Sequence, residues 1–196
     1  MPEEDNEEEE KSEAVAPPPP SELFGQLVHV GDPLLRRTAQ RVTDYQQAKD
    51  YADLLARAVK EIIGAGLAAN QLGIDLQIAV AWVRKTDLFP DRPESGLVTL
   101  VNPEIVSYGA EYEDDWEGCF SVPNYVGLVP RSKKIRVNME TLDGESITVD
   151  FEGYLARVIQ HEIDHLHGKV YIDRLLSTKN FFTRENYRKY ILRTEG

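Results

Sequence analysis

The sequence predicts an α+β fold: a single domain of antiparallel strands and hairpins packed around one central helix, with one or two further helices. Three observations predict it. Two stretches, Gln46 to Ile63 and Tyr154 to Leu166, carry apolar residues at helical spacing. Short segments elsewhere alternate apolar and polar residues and are punctuated by Gly, Pro and Asp, the pattern of strands and turns. These strands do not alternate with helices as βαβ units would. A chain of 196 residues is long enough for one such domain and too short for two full ones.

The elements follow in chain order. Residues 1–22 form an acidic and Pro-rich tail. Its first 20 residues hold eight acids against one Lys, −7 of the chain's −12 charge. With almost nothing to bury, the tail is expected to be disordered. "VHVGDPLLRRTAQRV" then reads as an irregular surface segment with a Gly-Asp-Pro turn. In the first helix Tyr51, Leu54, Leu55, Ala58, Val59 and Ile62 share a face, and Gly64 supplies the stop. "QIAVAWV" (77–83) and "LVTLVN" (97–102) read as strands. "IRVNMET" and "SITVDFE" flank Leu142-Asp143-Gly144-Glu145 as a hairpin with one buried face. The second helix places Leu155, Val158, Ile159, Ile163 and Leu166 at core spacing and ends before Gly168. Residues 178–196 carry five Lys or Arg and two Glu, and read as a basic helix held on the domain by Phe181, Tyr187 and Ile191.

Several classes are disfavoured. No apolar run approaches the roughly 20 residues of a membrane span. The N-terminus has no apolar signal core and is acidic where a transit peptide would be basic, which predicts a cytoplasmic protein. The single cysteine, Cys119, excludes an intramolecular disulfide.

The chemistry is concentrated in "QHEIDHLHG" on the second helix. His161 and His165 lie one turn apart on one face, so their rings can converge on one ion while Glu162 stands beside them. This is the central, metal-binding helix of the predicted fold. A catalytic site of this kind takes three protein ligands and keeps a position open. One class of zinc peptidases continues His-Glu-x-x-His-x-x-Gly-x-x-His, and Gly168 fits that pattern, but position 171 is Tyr171. His167 points away from the shared face and reads as solvated. Cys119 in "EGCFS" remains as a thiolate that could complete a Cys-His-His set. Sequence position alone does not bring it near. A closed structural site, as in a metal-stabilised binding module, would want four ligands where the chain offers three.

Three motifs together are specific. "GAGLAANQ" (64–71), "EGCFS" (117–121) and "QHEIDH" (160–165) stand in the order of the three signatures of the peptide deformylases, and the chain resembles that family from Leu27 to Leu176. Ala65 stands where the family has a larger Ile or Val. The resemblance implies a deformylase-like catalytic domain over 23–196. Its reaction would be metal-dependent hydrolysis of the N-formyl group from the formyl-methionyl ends of newly made proteins, with release of formate. It implies Cys119, His161 and His165 as ligands of one divalent metal, Fe(II) first, with Zn(II) or Ni(II) as alternatives. It implies Glu162 as general base and acid, and Gln71 and the Phe120 backbone N–H as oxyanion donors. Ala65, Gly66 and Gly118 would run beside the substrate peptide, and Glu117 would pair with Arg131 to position the Cys loop. Because such a substrate emerges from a ribosome, the basic C-terminal segment raises a transient ribosome contact through phosphates. A solvated helix packed on the domain explains it equally well. No membrane contact or sequence-specific nucleic acid is expected.

Overall fold

A computed structural model describes residues 27–85, 90 and 92–193. The acidic tail predicted for 1–22 lies outside them. The first helix, α1, spans Tyr45–Glu61, and Asp44 caps it by accepting hydrogen bonds from the Gln46 and Gln47 N–H groups at 2.9 and 3.1 Å. Its stop differs from the expected one. Ile63, not Gly64, takes the left-handed conformation (φ 55°), and the Gly64 N–H closes the turn on the Val59 carbonyl at 3.0 Å. Gly64 is needed for a different reason: a Cβ there would lie 3.0 Å from the Phe120 ring.

The main sheet has five strands in the order β1-β2-β3-β6-β7, all antiparallel: β1 Gly66–Ala68, β2 Ile78–Ala81, β3 Val98–Tyr108, β6 Lys134–Glu140 and β7 Ser146–Glu152. The β6–β7 hairpin is the expected one. A second sheet has the order β4-β5-β8, with β4 Tyr112–Cys119, β5 Val122–Ser132 and β8 Phe181–Thr183. The β4–β5 hairpin was not predicted as strands. "YEDDWEGC" is rich in acids that β-propensity disfavours, and pairing with β5 overrides the local preference.

Strand β2 decides the layering. Ile78 and Val80 pack toward α1, while Ala79 and Ala81 face the central helix α2, Gly153–Leu166, whose Ile159 and Ile163 belong to the same core cluster. Alternation sends large residues to one face and small ones to the other, so α2 can lie close against the sheet. Its opposite side meets β5 of the second sheet. The predicted architecture of strands around a central helix is therefore the observed one.

Two expectations need correction. The segment around "GDPLLR" is irregular but not confined to the surface: a 3-10 turn at Pro33–Arg36, capped by Asp32, drives Leu35 into the core, and Ala39 and Val42 are also buried. The C-terminal region is not one helix. Residues Phe181–Thr183 pair with β5 first, a short helix α3 follows at Arg184–Tyr187, and a π-turn spans Arg188–Leu192. Phe181 stacks on Tyr125 and Tyr187 packs on Trp116, whereas Ile191 is exposed. The β5 edge offers Phe181 a ladder of backbone hydrogen bonds that local basic character cannot reveal.

Gly168 ends α2 with φ 72°, and a Cβ there would lie 2.8–2.9 Å from backbone atoms of Arg36 and Arg37. Gly168→Ala is expected to lower stability by roughly 2 to 4 kcal/mol, left-handed strain and overpacking combined. Thermal unfolding measures this; an unchanged Tm would mean the two segments separate freely.

Candidate metal centre

The site forms where α2 meets β4 and the turn after β1. A register break between Gly118 and Cys119 ends β4 and re-aims the cysteine inward. Helical spacing brings His161 and His165 to the same point. The ligand atoms of Cys119, His161 and His165 all lie within 4.8 Å of one another, and Cys119 Sγ is 3.2 Å from His165 Nε2. This is the convergence that sequence position alone left open. His167, by contrast, lies at the exposed end of α2 with Nδ1 2.9 Å from the Ile163 carbonyl. Tyr171 is buried and stacks against His161 with ring centroids 6.3 Å apart, a wall where the zinc-peptidase pattern would put a ligand.

The three ligands differ in what holds them. His161 Nδ1 lies 2.9 Å from Glu117 Oε2, which fixes the tautomer and leaves Nε2 for a cation. Glu117 in turn takes both prongs of the Arg131 guanidinium at 3.0 Å. The predicted Glu117–Arg131 pair is therefore present and buried. Arg131 also reaches Asp164 at 2.5 Å, and Arg174 covers Asp164 from outside. His165 is buried, and its backbone carbonyl accepts from Asn70 Nδ2 at 2.6 Å.

The electrostatics suit a cation. Burial pushes the Cys119 thiol up, but His165 and His161 together overcome it and hold the thiol well below its usual range. Burial alone would lower His161; its hydrogen bonds to Cys119 and Glu117 raise it well above the ordinary histidine value. A thiolate beside an imidazolium gives up one proton when a cation arrives. For Glu117, burial opposes ionisation, yet the His161 hydrogen bond and the Arg131 charge keep it far below the usual carboxylate range.

Glu162 sits behind this cluster, 3 % exposed, and its Oε2 has no hydrogen-bond partner among the described residues. Burial pushes its carboxyl up to about 7, against the two histidines that pull it down. A carboxyl poised there can both accept and release a proton at neutral pH. Gly66 makes room for it: a Cβ at that position would lie 2.4 Å from Glu162 Oε1. Gln71, on the 3-10 turn after β1, accepts from the Ala68 N–H through Oε1 at 2.9 Å and aims Nε2 at Cys119 Sγ (3.4 Å) and Ser121 Oγ (3.1 Å). Phe120 occupies the turn between β4 and β5, and Ala65 and Gly118 lie on β1's approach and on β4. Gly118 is solvent-exposed.

Reasoning from sequence missed Arg157, Asp164, Arg174 and Ser121 as neighbours of the site. Arg157 gave no signal: it stands one turn before His161, on the side of the helix away from Ile159 and Ile163, where a cation reads as an ordinary polar-face residue.

Three converging side chains that could hold a metal ion, a buried carboxyl beside them and an amide aimed at the same point are the arrangement of a metal-dependent hydrolase. The sequence model of the polypeptide deformylase family matches residues 25–181. Peptide deformylase 2 of Bordetella bronchiseptica is 39% identical over 157 residues, covering 79% of this chain and 89% of that protein. Peptide deformylase 1 of Nitrosomonas europaea is 36% identical over the same shares. Among solved structures, the Met-Ala-Ser-bound class I type b peptide deformylase of Acinetobacter baumannii has a TM-score of 0.73 and 33% identity, covering 76% of this chain and 96% of that one. The Thermotoga maritima peptide deformylase has a TM-score of 0.68 and 36% identity, covering 77% and 97%. The chain belongs to the polypeptide deformylase family. It is a metal-dependent hydrolase that removes the N-formyl group from newly made peptide ends.

Proposed function

We propose that Cys119, His161 and His165 hold one divalent cation, Fe(II) first and Zn(II) or Ni(II) as alternatives, and that Glu162, Gln71 and the Phe120 N–H do the work around it. The observation that carries the reading is the meeting of the three ligand atoms within 4.8 Å beside a buried carboxylate whose Oε2 has no hydrogen-bond partner among the described residues. When bound, the cation supplies a Lewis acid and a water whose pKa falls toward about 7. Glu162 accepts the proton of the attacking water and returns it to the amine as the formyl C–N bond breaks, so that formate and a free N-terminus leave. Gln71 Nε2 and the Phe120 N–H meet the oxyanion that develops at the formyl carbon.

Strand β1 is an edge strand, so its outer backbone groups have no ladder partner within the sheet. In this reading Ala65 and Gly66 on one side and Gly118 on the other receive the peptide backbone, extended as an added strand. The Met-Ala-Ser-bound state of the Acinetobacter relative supports a peptide that begins with methionine. No described helix is long and apolar enough to cross a membrane. The cytoplasmic reading rests on the substrate, because nascent chains begin there.

Loading the metal-free protein with Fe(II), Ni(II) or Zn(II) without oxygen and assaying each on a formyl-methionyl peptide tests the metal. Activity is expected with all three and highest with iron; activity without added metal would contradict the reading. Gln71→Ala is expected to keep its metal and lose about 10² to 10³ in kcat, the usual cost of one oxyanion donor. A change confined to KM would make Gln71 a binding residue instead.

A transient ribosome contact is the finer reading of the C-terminal segment, supported by exposed Lys179, Arg184, Arg188 and Lys189. Neutralising these four is expected to reduce ribosome co-sedimentation at low salt. Equal pelleting of variant and parent would remove the idea.

A further inference from the structure

Arg157 is 5 % exposed, and every acceptor it reaches belongs to the hairpin that carries Cys119. Its Nη1 donates to Glu117 Oε1 at 2.9 Å and to the Val129 carbonyl at 2.9 Å; its Nη2 donates to the Glu113 carbonyl. The contact with Glu117 matters most. Oε1 accepts from Arg131 Nε (3.0 Å) and Arg157 Nη1, and Oε2 from Arg131 Nη2 (3.0 Å) and His161 Nδ1 (2.9 Å). Each oxygen of this buried carboxylate thus has two partners. Arg131 grips the inner edge, while Arg157 and His161, one helical turn apart on α2, take the two outer flanks.

We propose that Arg157 is a positioning residue of the metal centre, the second cation that locks Glu117 so that Glu117 aims His161. Arg131 cannot do this alone, because its remaining Nη1 is committed to Asp164. Without Arg157, Oε1 keeps a single donor, and the carboxylate is free to tilt about its Cγ–Cδ bond toward Arg131 and away from the imidazole. The two carbonyl bonds serve a linked end: they tie β4 and β5 to the helix that supplies both histidines, so the thiolate and the imidazoles are held to one frame. The proposal rests on the reading of Cys119, His161 and His165 as metal ligands.

The test uses Co(II) as a probe of the full-length protein. Arg157→Met keeps the length and apolar bulk of the buried stem. It is expected to weaken Co(II) binding by about 10- to 100-fold, the range typical of a partner that orients a ligand, and to alter the visible Co(II) bands. Arg157→Lys keeps a charge but not the fork, and is expected to recover only part of the affinity. In a Glu117→Gln background Arg157→Met should add little, since it acts through that carboxylate. Co(II) affinity and spectrum equal to the parent's in Arg157→Met, even with a lowered Tm, would reduce Arg157 to a strand staple and overturn the proposal. So would fully additive losses with Glu117→Gln. If the Met variant does not fold, parent-like binding in Arg157→Lys overturns it equally. The parent's own titration separates the two readings: failure to bind Co(II) refutes the metal site itself and the proposal with it.

Discussion

Glu162→Gln is expected to fold, to bind metal as the parent does, and to lose turnover by about 10² to 10⁴-fold, the contribution of general acid–base catalysis. The change is close to isosteric and leaves the hydrogen bonds of His161 and His165 in place, because neither is made to Glu162. What it removes is proton exchange by a buried group pushed up to about 7. The surroundings suit that group: Gly66 supplies the space beside its carboxylate, and Oε2 has no hydrogen-bond partner among the described residues, so a water or a substrate nitrogen can take it. Metal content and formyl-peptide affinity measured alongside kcat separate a lost base from a lost site. A Gln variant with bound metal and near-normal kcat would return Glu162 to a mere neighbour of the ligands.

Cys119→Ala is expected to lose metal and activity together. The thiolate is the only anionic member of the set, and its two partners are neutral imidazoles once the cation is bound. Its removal should cost more than the 10- to 100-fold in affinity typical of an outer partner. Cys119→Asp, which restores an anion, is expected to keep part of the metal. Metal analysis after dialysis decides. An Ala variant with parental metal content would mean that Cys119 is only a small buried hydrophobe packed beside Val122 and Tyr171.

Much of this was readable in the chain. Helical spacing gave α2 and the shared face of His161 and His165, and alternation around Gly144 gave the β6–β7 hairpin. What periodicity could not supply was the hairpin that carries Cys119. "YEDDWEGC" looks polar and unstructured, and only its pairing with β5, a non-local event, makes it a strand. The convergence of Cys119 with the histidines was accordingly an inference from resemblance until the fold put Sγ 3.2 Å from His165. Charges placed inside the protein were harder still. Arg157 and Asp164 read as ordinary polar residues of the helix, because the partners that justify burying them, the acceptor Glu117 for Arg157 and the donor Arg131 for Asp164, lie far along the chain on the hairpin. The C-terminal segment failed for the opposite reason: local basic character suggested one helix, while an open strand edge claimed its first residues.

The most direct measurement of the central claim is to incubate the iron-loaded protein anaerobically with formyl-Met-Ala-Ser and quantify formate and new amine together, with Glu162→Gln alongside. Equal amounts of formate and intact Met-Ala-Ser are expected from the parent, and a rate lower by at least about 10²-fold from the variant. No formate with iron, nickel or zinc loaded, or cleavage inside the tripeptide instead of at its formyl end, would contradict the claim.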